Sequence, residues 1–274
     1  MSVSPKTYKE TLKEITPRPI WQATRNAWNA LQNAALWPQA TFHPWRRASI
    51  RRLGELKDIH HGQRGFIIGN GPSLKQTDLT RLSGEFTFGM NRIYLGFPEM
   101  EFETTYFLTI NSLVIEQCAD DIRALSMPRF VCWRSHKLIG AAPDLNFLHT
   151  TYTGPGFASD ARGRLWEGAT VTYVALQLAF HMGFEQVILV GVDHNYSTQG
   201  KPNTTVTSQG DDLDHFDAGY FGKGFRWQLP DLETSERAYQ MARRAYEQAG
   251  RQVLDATVGG KLTIFPKVDY RTLF

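Results

Sequence analysis

The sequence has only two cysteines among its 274 residues, Cys118 and Cys132. Their spacing matches no metal-binding motif, and such low cysteine content makes a disulfide unexpected and is typical of a reducing compartment. No apolar run approaches the ~20 residues that a membrane-spanning helix needs. The opening residues, Met-Ser-Val-Ser-Pro-Lys, also lack the apolar centre of a secretory signal. We therefore expect a cytoplasmic protein.

The chain also lacks a strong net charge, which is +3 with histidine neutral. So small a charge gives no reason to expect nucleic acid as a partner. No internal repeat is visible, and 274 residues with 42% hydrophobic content can bury one substantial core. We expect one nucleotide-binding catalytic domain over residues 61–274, preceded by a helical extension over residues 1–60.

The extension is rich in arginine and contains four of the seven tryptophans of the chain. Apolar and aromatic positions recur at helical spacing between residues 20 and 37 and predict a helix with one apolar face. These positions are Trp21, Thr24, Trp28, Leu31 and Ala35. The face would pack on its own domain or on a second subunit, forming a homo-oligomer, or it would attach to an anionic membrane from the cytoplasmic side. The sequence leaves these interpretations open.

The most informative stretch is an apolar strand that runs directly into a Gly-Asn-Gly-Pro-Ser turn. Two glycines one residue apart let a ligand approach the backbone closely, and the proline predicts the first turn of a following helix. The turn lacks the third glycine of a dinucleotide-binding loop and the lysine of a Walker A loop. It therefore predicts a phosphate site for another nucleotide-linked donor, formed by Gly69, Asn70, Gly71, Pro72 and Ser73.

Strands and helices alternate after residue 64, which is typical of a parallel sheet. Strands are expected at 66–69, 85–90, 106–110, 129–133, 186–192 and 252–255, and helices at 171–181 and 235–249. These elements predict an α/β fold, a doubly wound Rossmann-like and mainly parallel sheet with a helical N-terminal extension and a lid loop.

Ligands of doubly wound sheets bind beyond the carboxyl ends of the strands, so residues that follow a strand are candidates. Asn70, Asn91 and Asn111 follow the first three strands, and an amide can hold a ribose hydroxyl, a base edge or a phosphate. Each asparagine has the alternative role of forming a turn or capping a helix. Further candidates at strand ends are Ser112, Asp193, His194 and Asn195.

A polar segment at 197–228, named here the lid segment, is long enough to predict a functional lid. His215 is its preferred general base, with Asp214 and Asp217 expected to orient the ring, and His194 is the alternative base.

Charged residues of the lid segment have further expected roles. Lys223 and Arg226 would neutralise a leaving phosphate as the lid closes, or they are solvated charges. Asp193, Asp212 and Asp214 would hold Mg²⁺ if the reaction needs a metal ion. A solvated acidic turn is the alternative role for the aspartates of the lid.

Four motifs resemble the Rossmann-like domain shared by MptE-like 6-hydroxymethylpterin diphosphokinases and Maf flagellin glycosyltransferases. They are Gly69-Asn70-Gly71-Pro72-Ser73-Leu74, Met90-Asn91-Arg92, Ile110-Asn111-Ser112 and the stretch from Gly183-Phe184 to Val190-Gly191-Val192-Asp193. The bacterial sialyltransferases of glycosyltransferase family 42 are more distantly similar. The resemblance covers roughly residues 64–274 and excludes the extension.

The resemblance to the sialyltransferases implies that the glycine loop, Asn91 and Asn111 hold the CMP part of a CMP-sugar. Thr170 falls at a helix start that those enzymes place beside the cytidine. Their tyrosine after the Gly-x-Asp strand is replaced by Asn195, next to Tyr196. The implied reaction transfers a sugar from a nucleotide-sugar donor to a hydroxyl of a surface-glycan or protein acceptor, as in surface polysaccharide biosynthesis.

Two other functions remain open at this point. An MptE-like diphosphokinase would transfer pyrophosphate from ATP to a pterin alcohol and would need Mg²⁺. Asn70 favours the glycosyltransferase, because the pterin enzymes tend to carry alanine at that place. The missing tyrosines suggest the third function, a nucleotide-binding protein without catalysis.

Overall fold

The computed structural model describes residues 37–197 and 200–274, together with Ile20, Ala23, Thr24, Ala27 and Leu31. Contacts within the chain define two units, Met1–His43 and Pro44–Phe274.

In the first unit, the described residues up to Phe42 have helical backbone. The Trp37 and Phe42 rings meet edge to face, with centroids 5.9 Å apart. Three positions of the predicted apolar face, Trp21, Trp28 and Ala35, lie outside the described residues. Packing of that face on a protein and its attachment to a membrane both stay predictions. Within the described part of the chain, no helix has the length and apolar character needed to cross a membrane.

The second unit contains ten strands among its described residues. They are β1 (Arg64–Ile68), β2 (Phe86–Met90), β3 (Tyr106–Thr109), β4 (Arg129–Cys132), β5 (Leu145–Thr151), β6 (Arg164–Trp166), β7 (Gln186–Val190), β8 (Thr205–Thr207), β9 (Arg226–Gln228) and β10 (Gln252–Asp255). Eight of them form one sheet in the order β10-β7-β1-β2-β3-β4-β5-β6. Each neighbouring pair in this sheet is parallel. Strands β8 and β9 form a separate antiparallel pair in the lid segment.

The α-helices of this unit are α1 (Pro44–Glu55), α2 (Phe97–Met100), α3 (Ser112–Gln117), α4 (Ala119–Ala124), α5 (His136–Ile139), α6 (Val171–His181) and α7 (Leu232–Gln248). Short 3-10 helices lie at Pro72–Gln76, Leu79–Leu82, Ile93–Gly96, Trp133–Ser135 and Tyr270–Leu273.

Helices α6 and α7 differ in how they meet the core. Nearly every residue of α6 is buried, because its sequence is apolar all round. Helix α7 is amphipathic and buries one stripe of small and aromatic residues. Its stripe includes Ala238, Ala242 and Tyr246, and the Tyr246 hydroxyl donates to the Leu176 carbonyl of α6 at 2.8 Å. The two helices therefore pack on each other, and both begin beside the carboxyl ends of the strands.

Strand β1 lies between β7 and β2, with Phe66 in register with Ile188 on one side and Thr87 on the other. From β1 the sheet grows in one direction through β2 to β6 and in the other through β7 and β10. The point between β1 and β7 is thus the topological switch point, where the connections diverge and leave a crevice at the carboxyl edge.

The predicted doubly wound α/β fold is confirmed, and helix 171–181 and strand 252–255 have the predicted bounds. The prediction missed strands β5 and β6 of the main sheet and the short pair β8 and β9 of the lid segment. Strand β5 carries Asn146 and His149 in a run whose residues are all buried, which obscured its strand pattern. The Asn146 side chain is satisfied there, because Oδ1 accepts a hydrogen bond from Arg52 Nε at 2.8 Å.

Helix α1 packs on β5 and belongs to the second unit. Ser49 Oγ accepts a hydrogen bond from the Phe147 backbone N–H at 2.9 Å, and Arg52 also donates to the Leu145 carbonyl. Contacts thus divide the chain before Pro44, whereas the sequence analysis placed the end of the extension at residue 60.

Candidate functional site

A cavity of about 120 Å³ lies at the switch point, beyond the carboxyl ends of β1, β2 and β7. Loop Gly69–Gly71 after β1, Asn91 after β2 and Gly191–Tyr196 after β7 form one side. The first residues of α6 and α7 form another, and the lid segment contributes Asp214, His215 and Tyr220. The structure therefore brings most of the predicted site residues to one place.

The glycines of the β1 loop allow it to lie directly against the β7 loop. A Cβ at Gly69 would lie 2.2 Å from the Gly191 carbonyl oxygen, and a Cβ at Gly71 would lie 1.8 Å from Asp193 Oδ2. The backbone N–H of Gly71 donates to that same Gly191 carbonyl at 2.9 Å. Both glycines are therefore required by contacts within the protein, independently of any ligand.

Ser73 and Asp193 join the two loops by side-chain contacts. The Asp193 carboxylate accepts hydrogen bonds from the Ser73 backbone N–H at 3.1 Å and from Ser73 Oγ at 2.7 Å. Burial raises the pKa of Asp193, while the Ser73 hydrogen bonds act in the opposite direction. Ser73 is thus occupied by a carboxylate, where the sequence analysis expected a phosphate.

The predicted helix after the β1 loop is only a five-residue 3-10 helix, Pro72–Gln76. So short a segment supplies little of the helix dipole that the sequence analysis invoked. The 11-residue helix α6 offers a stronger positive end, because it is longer, and its first turn has no acidic residue. Thr170 caps it, with Oγ1 accepting from the Thr172 backbone N–H at 3.3 Å, and both residues line the cavity. An anion would be stabilised at this end of the cavity.

Two of the three strand-end asparagines line the cavity. Asn70 Oδ1 is buried and has no hydrogen-bond partner among the described residues. Asn91 Oδ1 accepts from Thr109 Oγ1 at 2.9 Å. Asn111 lies elsewhere and caps α3, where its Oδ1 accepts from the Leu113 backbone N–H at 3.0 Å. Neither Asn111 nor Ser112 lines the cavity.

The cavity walls include three non-glycine residues with left-handed backbone. The φ angles of Asn91, Ala169 and His194 are 52°, 59° and 53°. Side chains other than glycine rarely adopt this conformation, and it clusters at functional sites. The backbone of the cavity wall is therefore held in a conformation that is locally unfavourable at these three residues.

His215 is held in the cavity wall by a carboxylate and an aromatic ring. Its Nδ1 lies 2.8 Å from Asp212 Oδ2, and its ring stacks on Tyr220 with centroids 4.0 Å apart. Asp212 is the carboxylate that orients the ring, whereas the sequence predicted Asp214 and Asp217 for this role. Asp214 Oδ1 instead accepts from the Ser197 backbone N–H and Oγ, and Asp217 accepts from the Gly219 backbone N–H. A histidine paired in this way has the geometry of a general base.

A second histidine of the cavity has its own carboxylate. His194 Nε2 lies 3.0 Å from Glu236 Oε1 of α7, and the His194 side chain is 8% exposed. Asn195 follows it in the cavity wall and is exposed to solvent.

Sequence reasoning missed Tyr220 and Tyr239, which line the cavity, and Arg92, which holds the lid segment beside it. Arg92 is buried and donates through Nη1 to the backbone carbonyls of Gly219 and Tyr220, and its guanidinium carbon lies 4.6 Å from the Phe225 ring centroid. Tyr220 and Tyr239 line the cavity. Burial raises the pKa of both phenols, so they stay protonated and can donate hydrogen bonds. The only signals were the Asn-Arg pair after β2 and the aromatic content of the lid.

Lys223 and Arg226 do not line the cavity. Both are exposed, and Arg226 pairs with Glu116 of α3 at 2.9 Å. The expected metal ligands also have separate partners: Ser73 for Asp193, His215 for Asp212 and Ser197 for Asp214. Among the described residues, no three acidic, histidine or cysteine side chains form a group that would hold a metal ion.

No family model matches the chain, and a search of curated proteins gives no match. Among solved structures, it is similar to a Maf glycosyltransferase from Magnetospirillum magneticum AMB-1, with a TM-score of 0.48 and 12% identity. That match covers 84% of this chain, which spans 39% of the Maf protein.

A second similar structure is the sialyltransferase CstII from Campylobacter jejuni in complex with a substrate analogue, cytidine-5'-monophosphate. The TM-score is 0.36 and the identity 13%, over 76% of this chain and 85% of that one. At these TM-scores the likeness carries no conclusion about function. The resemblance to the MptE-like enzymes stays a prediction from the motifs.

Proposed function

We propose that this protein is a glycosyltransferase whose donor is a nucleotide-activated sugar bound at the switch point. The observation that carries the proposal is the pairing of His215 with Asp212 in the wall of a polar cavity. That cavity also contains the start of α6 and the unpartnered amide oxygen of Asn70. A base, an anion site and a polar contact for a nucleoside are the three elements that a sugar transfer from a nucleotide requires.

In the proposed reaction, the acceptor hydroxyl loses its proton to His215 as its oxygen attacks the anomeric carbon of the donor. The bond between that carbon and the phosphate oxygen breaks, and the nucleotide leaves with its electron pair. Asp212, hydrogen-bonded at Nδ1, keeps Nε2 available as the proton acceptor and stabilises the imidazolium that forms. The positive end of α6 stabilises the charge on the departing phosphate.

The lid segment has to move before a nucleotide can enter. The cavity volume is about 120 Å³, whereas pockets for small molecules usually occupy about 300 Å³ or more. The Phe216 backbone N–H donates to the Asn70 carbonyl at 2.9 Å, so the lid segment is joined directly to the β1 loop. Opening this contact would move Phe216 and the neighbouring His215 away from the β1 loop.

The finer parts of the proposal rest on the sequence motifs. They favour a CMP-sugar as donor and a hydroxyl of a surface glycan or a protein as acceptor. They are consistent with a cytoplasmic enzyme, and the extension would give it a membrane or subunit contact. Mg²⁺ is not required by this mechanism, because the start of α6 supplies the positive end of a dipole.

A thermal-shift screen tests the donor class. The purified protein is heated with CMP, UDP, GDP or ATP, each with and without Mg²⁺, because a ligand that binds only the folded state raises the melting temperature. The proposal predicts stabilisation by CMP without metal. Stabilisation by UDP or GDP would retain the transferase and change its donor. Stabilisation by ATP with Mg²⁺ alone would favour the diphosphokinase.

A pair of histidine variants tests catalysis. His215→Gln is expected to bind the nucleotide as the wild type does and to lose turnover of the donor, measured as release of the nucleotide from the sugar. His61→Gln is the matched control, because His61 is exposed and does not line the cavity. Full turnover by His215→Gln would show that His215 is not the general base. Nucleotide binding without turnover in the wild type would leave only the non-catalytic nucleotide-binding function.

A further inference from the structure

The cavity has an unusual charge for a site that would hold a phosphate. Its charged lining residues are the aspartates Asp193, Asp214 and Asp231, and none of its described lining residues is a lysine or an arginine. Carboxylates near a phosphate weaken its binding by like-charge repulsion. The positive end of α6 is one source of compensating charge, and a bound cation or a histidine of the cavity wall is the other.

One ring nitrogen of His194 is held by a carboxylate. Its Nε2 lies 3.0 Å from Glu236 Oε1, so Nε2 carries the hydrogen of this contact and Nδ1 is the nitrogen left for a ligand. With Nε2 used by Glu236, protonation makes Nδ1 a second N–H donor. The ring also lies edge to face with Tyr239, at 6.2 Å between centroids. His215 is the other histidine of the cavity, but the proposed reaction needs it neutral to accept a proton.

Other charged groups near His194 already have partners. Asp193 precedes it and is held by Ser73, and Asp231 caps α7 by accepting from the Thr234 backbone N–H at 3.1 Å. Asp214 accepts from Ser197. Tyr239 is the titratable group of α7 that packs on the ring, and burial raises its pKa, so it stays neutral.

We propose that His194, held at Nε2 by Glu236, is the phosphate-recognition residue of this site, and that with a nucleotide bound its protonated ring stabilises the leaving phosphate by a hydrogen bond from Nδ1. The inference rests on the proposed function and changes the role of His194 from the alternative base to a cationic donor. The two histidines of the cavity then have opposite tasks. His215 accepts the proton of the acceptor, and His194 neutralises the nucleotide that leaves.

Binding of CMP and of cytidine separates this role from a structural one, because the two probes differ only in the phosphate. Two variants are used. His194→Asn suits the left-handed backbone at this position, since asparagine tolerates positive φ better than most residues. Glu236→Gln retains hydrogen-bonding capacity at an exposed position and removes only the charge. Glu233→Gln is the matched control, an exposed glutamate of the same helix that does not line the cavity.

Isothermal titration calorimetry in EDTA is expected to show CMP affinity reduced roughly tenfold to a hundredfold in His194→Asn, the range for a hydrogen bond to a charged group. Glu236→Gln should lose CMP affinity in the same direction. Cytidine affinity should be unchanged in both variants, and Glu233→Gln should bind both probes as the wild type does.

Other outcomes overturn the inference, and they differ from failure of the proposed function. Equal loss of CMP and cytidine affinity in His194→Asn would show a structural role. CMP binding that needs Mg²⁺ and is insensitive to both variants would show that a metal ion supplies the charge. A wild-type protein that binds none of CMP, UDP and GDP, with or without Mg²⁺, would overturn the proposed function itself and this inference with it.

Discussion

Polar residues follow the strands in two parts of the sheet, but these residues have different roles in the two parts. In the switch-point part, formed by β1, β2 and β7, Asn70 Oδ1 lies buried beside the cavity without a partner among the described residues. In the far part, formed by β3 to β6, Asn111 caps α3 and Arg134 pairs with Glu167 at 2.6 Å.

The difference lies in what surrounds each polar group. Arg134 also donates to Thr150 Oγ1 at 3.1 Å and to the Tyr152 hydroxyl at 3.0 Å. Its hydrogen bonds therefore stabilise the folded protein. At the switch point, the connections on the two sides of β1 diverge and leave polar groups beside an open crevice. Polar residues after strands therefore mark the ligand edge of a sheet, and the topology selects the place on that edge.

The largest expected effect is on turnover, and it distinguishes His215 from Arg226 within the lid segment. His215 lies over the switch-point part, whereas Arg226 pairs with Glu116 of α3 in the far part. We expect His215→Gln to lower turnover by about 10²- to 10⁴-fold, the usual contribution of a general base. Arg226→Gln should retain turnover near the wild-type rate. Steady-state release of nucleotide from the donor sugar measures both, and a larger loss in Arg226→Gln would reverse the comparison.

The next effect concerns the contact that holds the β1 and β7 loops together. Alanine at Gly69 would place a Cβ 2.2 Å from the Gly191 carbonyl oxygen, so the backbone would have to shift. We expect Gly69→Ala to lower the free energy of unfolding by about 3 kcal/mol, since overpacking against rigid neighbours costs this much.

Gly84→Ala is the matched control for this glycine, because its Cβ would meet no atom within 4 Å. Urea unfolding should show this variant as stable as the wild type or slightly more stable, through the lower entropy of its unfolded chain. Equal stability of the Gly69 and Gly84 variants would contradict the close contact of the two loops.

A smaller effect on stability is expected from His149 in the far part, and it depends on pH. Burial lowers the pKa of His149 from 6.5 to about 4, and Arg46, Arg164 and Arg134 act in the same direction. The unfolded chain therefore binds a proton between these values that the folded chain does not. The resulting stability is complete above pH 6.5 and is lost as the pH falls towards 4, by up to about 3 kcal/mol.

Urea unfolding of the wild type and of His149→Gln between pH 7.5 and 4.5 measures this contribution. The variant should lose less stability over this range than the wild type. His60 and His181, whose pKa values burial also lowers, should preserve part of the wild-type slope. Parallel curves for the two proteins would show that His149 titrates normally.

The sequence was sufficient for the elements with strong local signals. Helix 171–181 is a mostly apolar segment after a threonine cap and before a glycine, and its bounds could be read directly. The glycine loop and the strand ends also indicated the edge of the sheet at which the cavity lies.

Contacts between distant residues could not be read from the sequence. Ser73 and Asp193 are 120 positions apart, and their hydrogen bonds replace the phosphate contact that the loop suggested. Glu236 lies 42 positions after His194, and Arg92 lies 127 positions before its lid carbonyl at Gly219. Each of these pairs is set by the packing of the sheet and lid, which local spacing does not encode.

We propose that the nucleotide binds at the switch point and not in the far part. A pair of asparagine variants, one from each part, distinguishes the two places. CMP affinity is measured by isothermal titration calorimetry and stability by urea unfolding, both for Asn70→Ala and for Asn111→Ala. We expect Asn70→Ala to bind CMP roughly fivefold more weakly with unchanged stability, because a net hydrogen bond contributes about 1 kcal/mol. Asn111→Ala should lose about 1 kcal/mol of stability with its helix cap and retain CMP affinity. Loss of CMP binding in Asn111→Ala, with full binding by Asn70→Ala, would contradict nucleotide binding at the switch point.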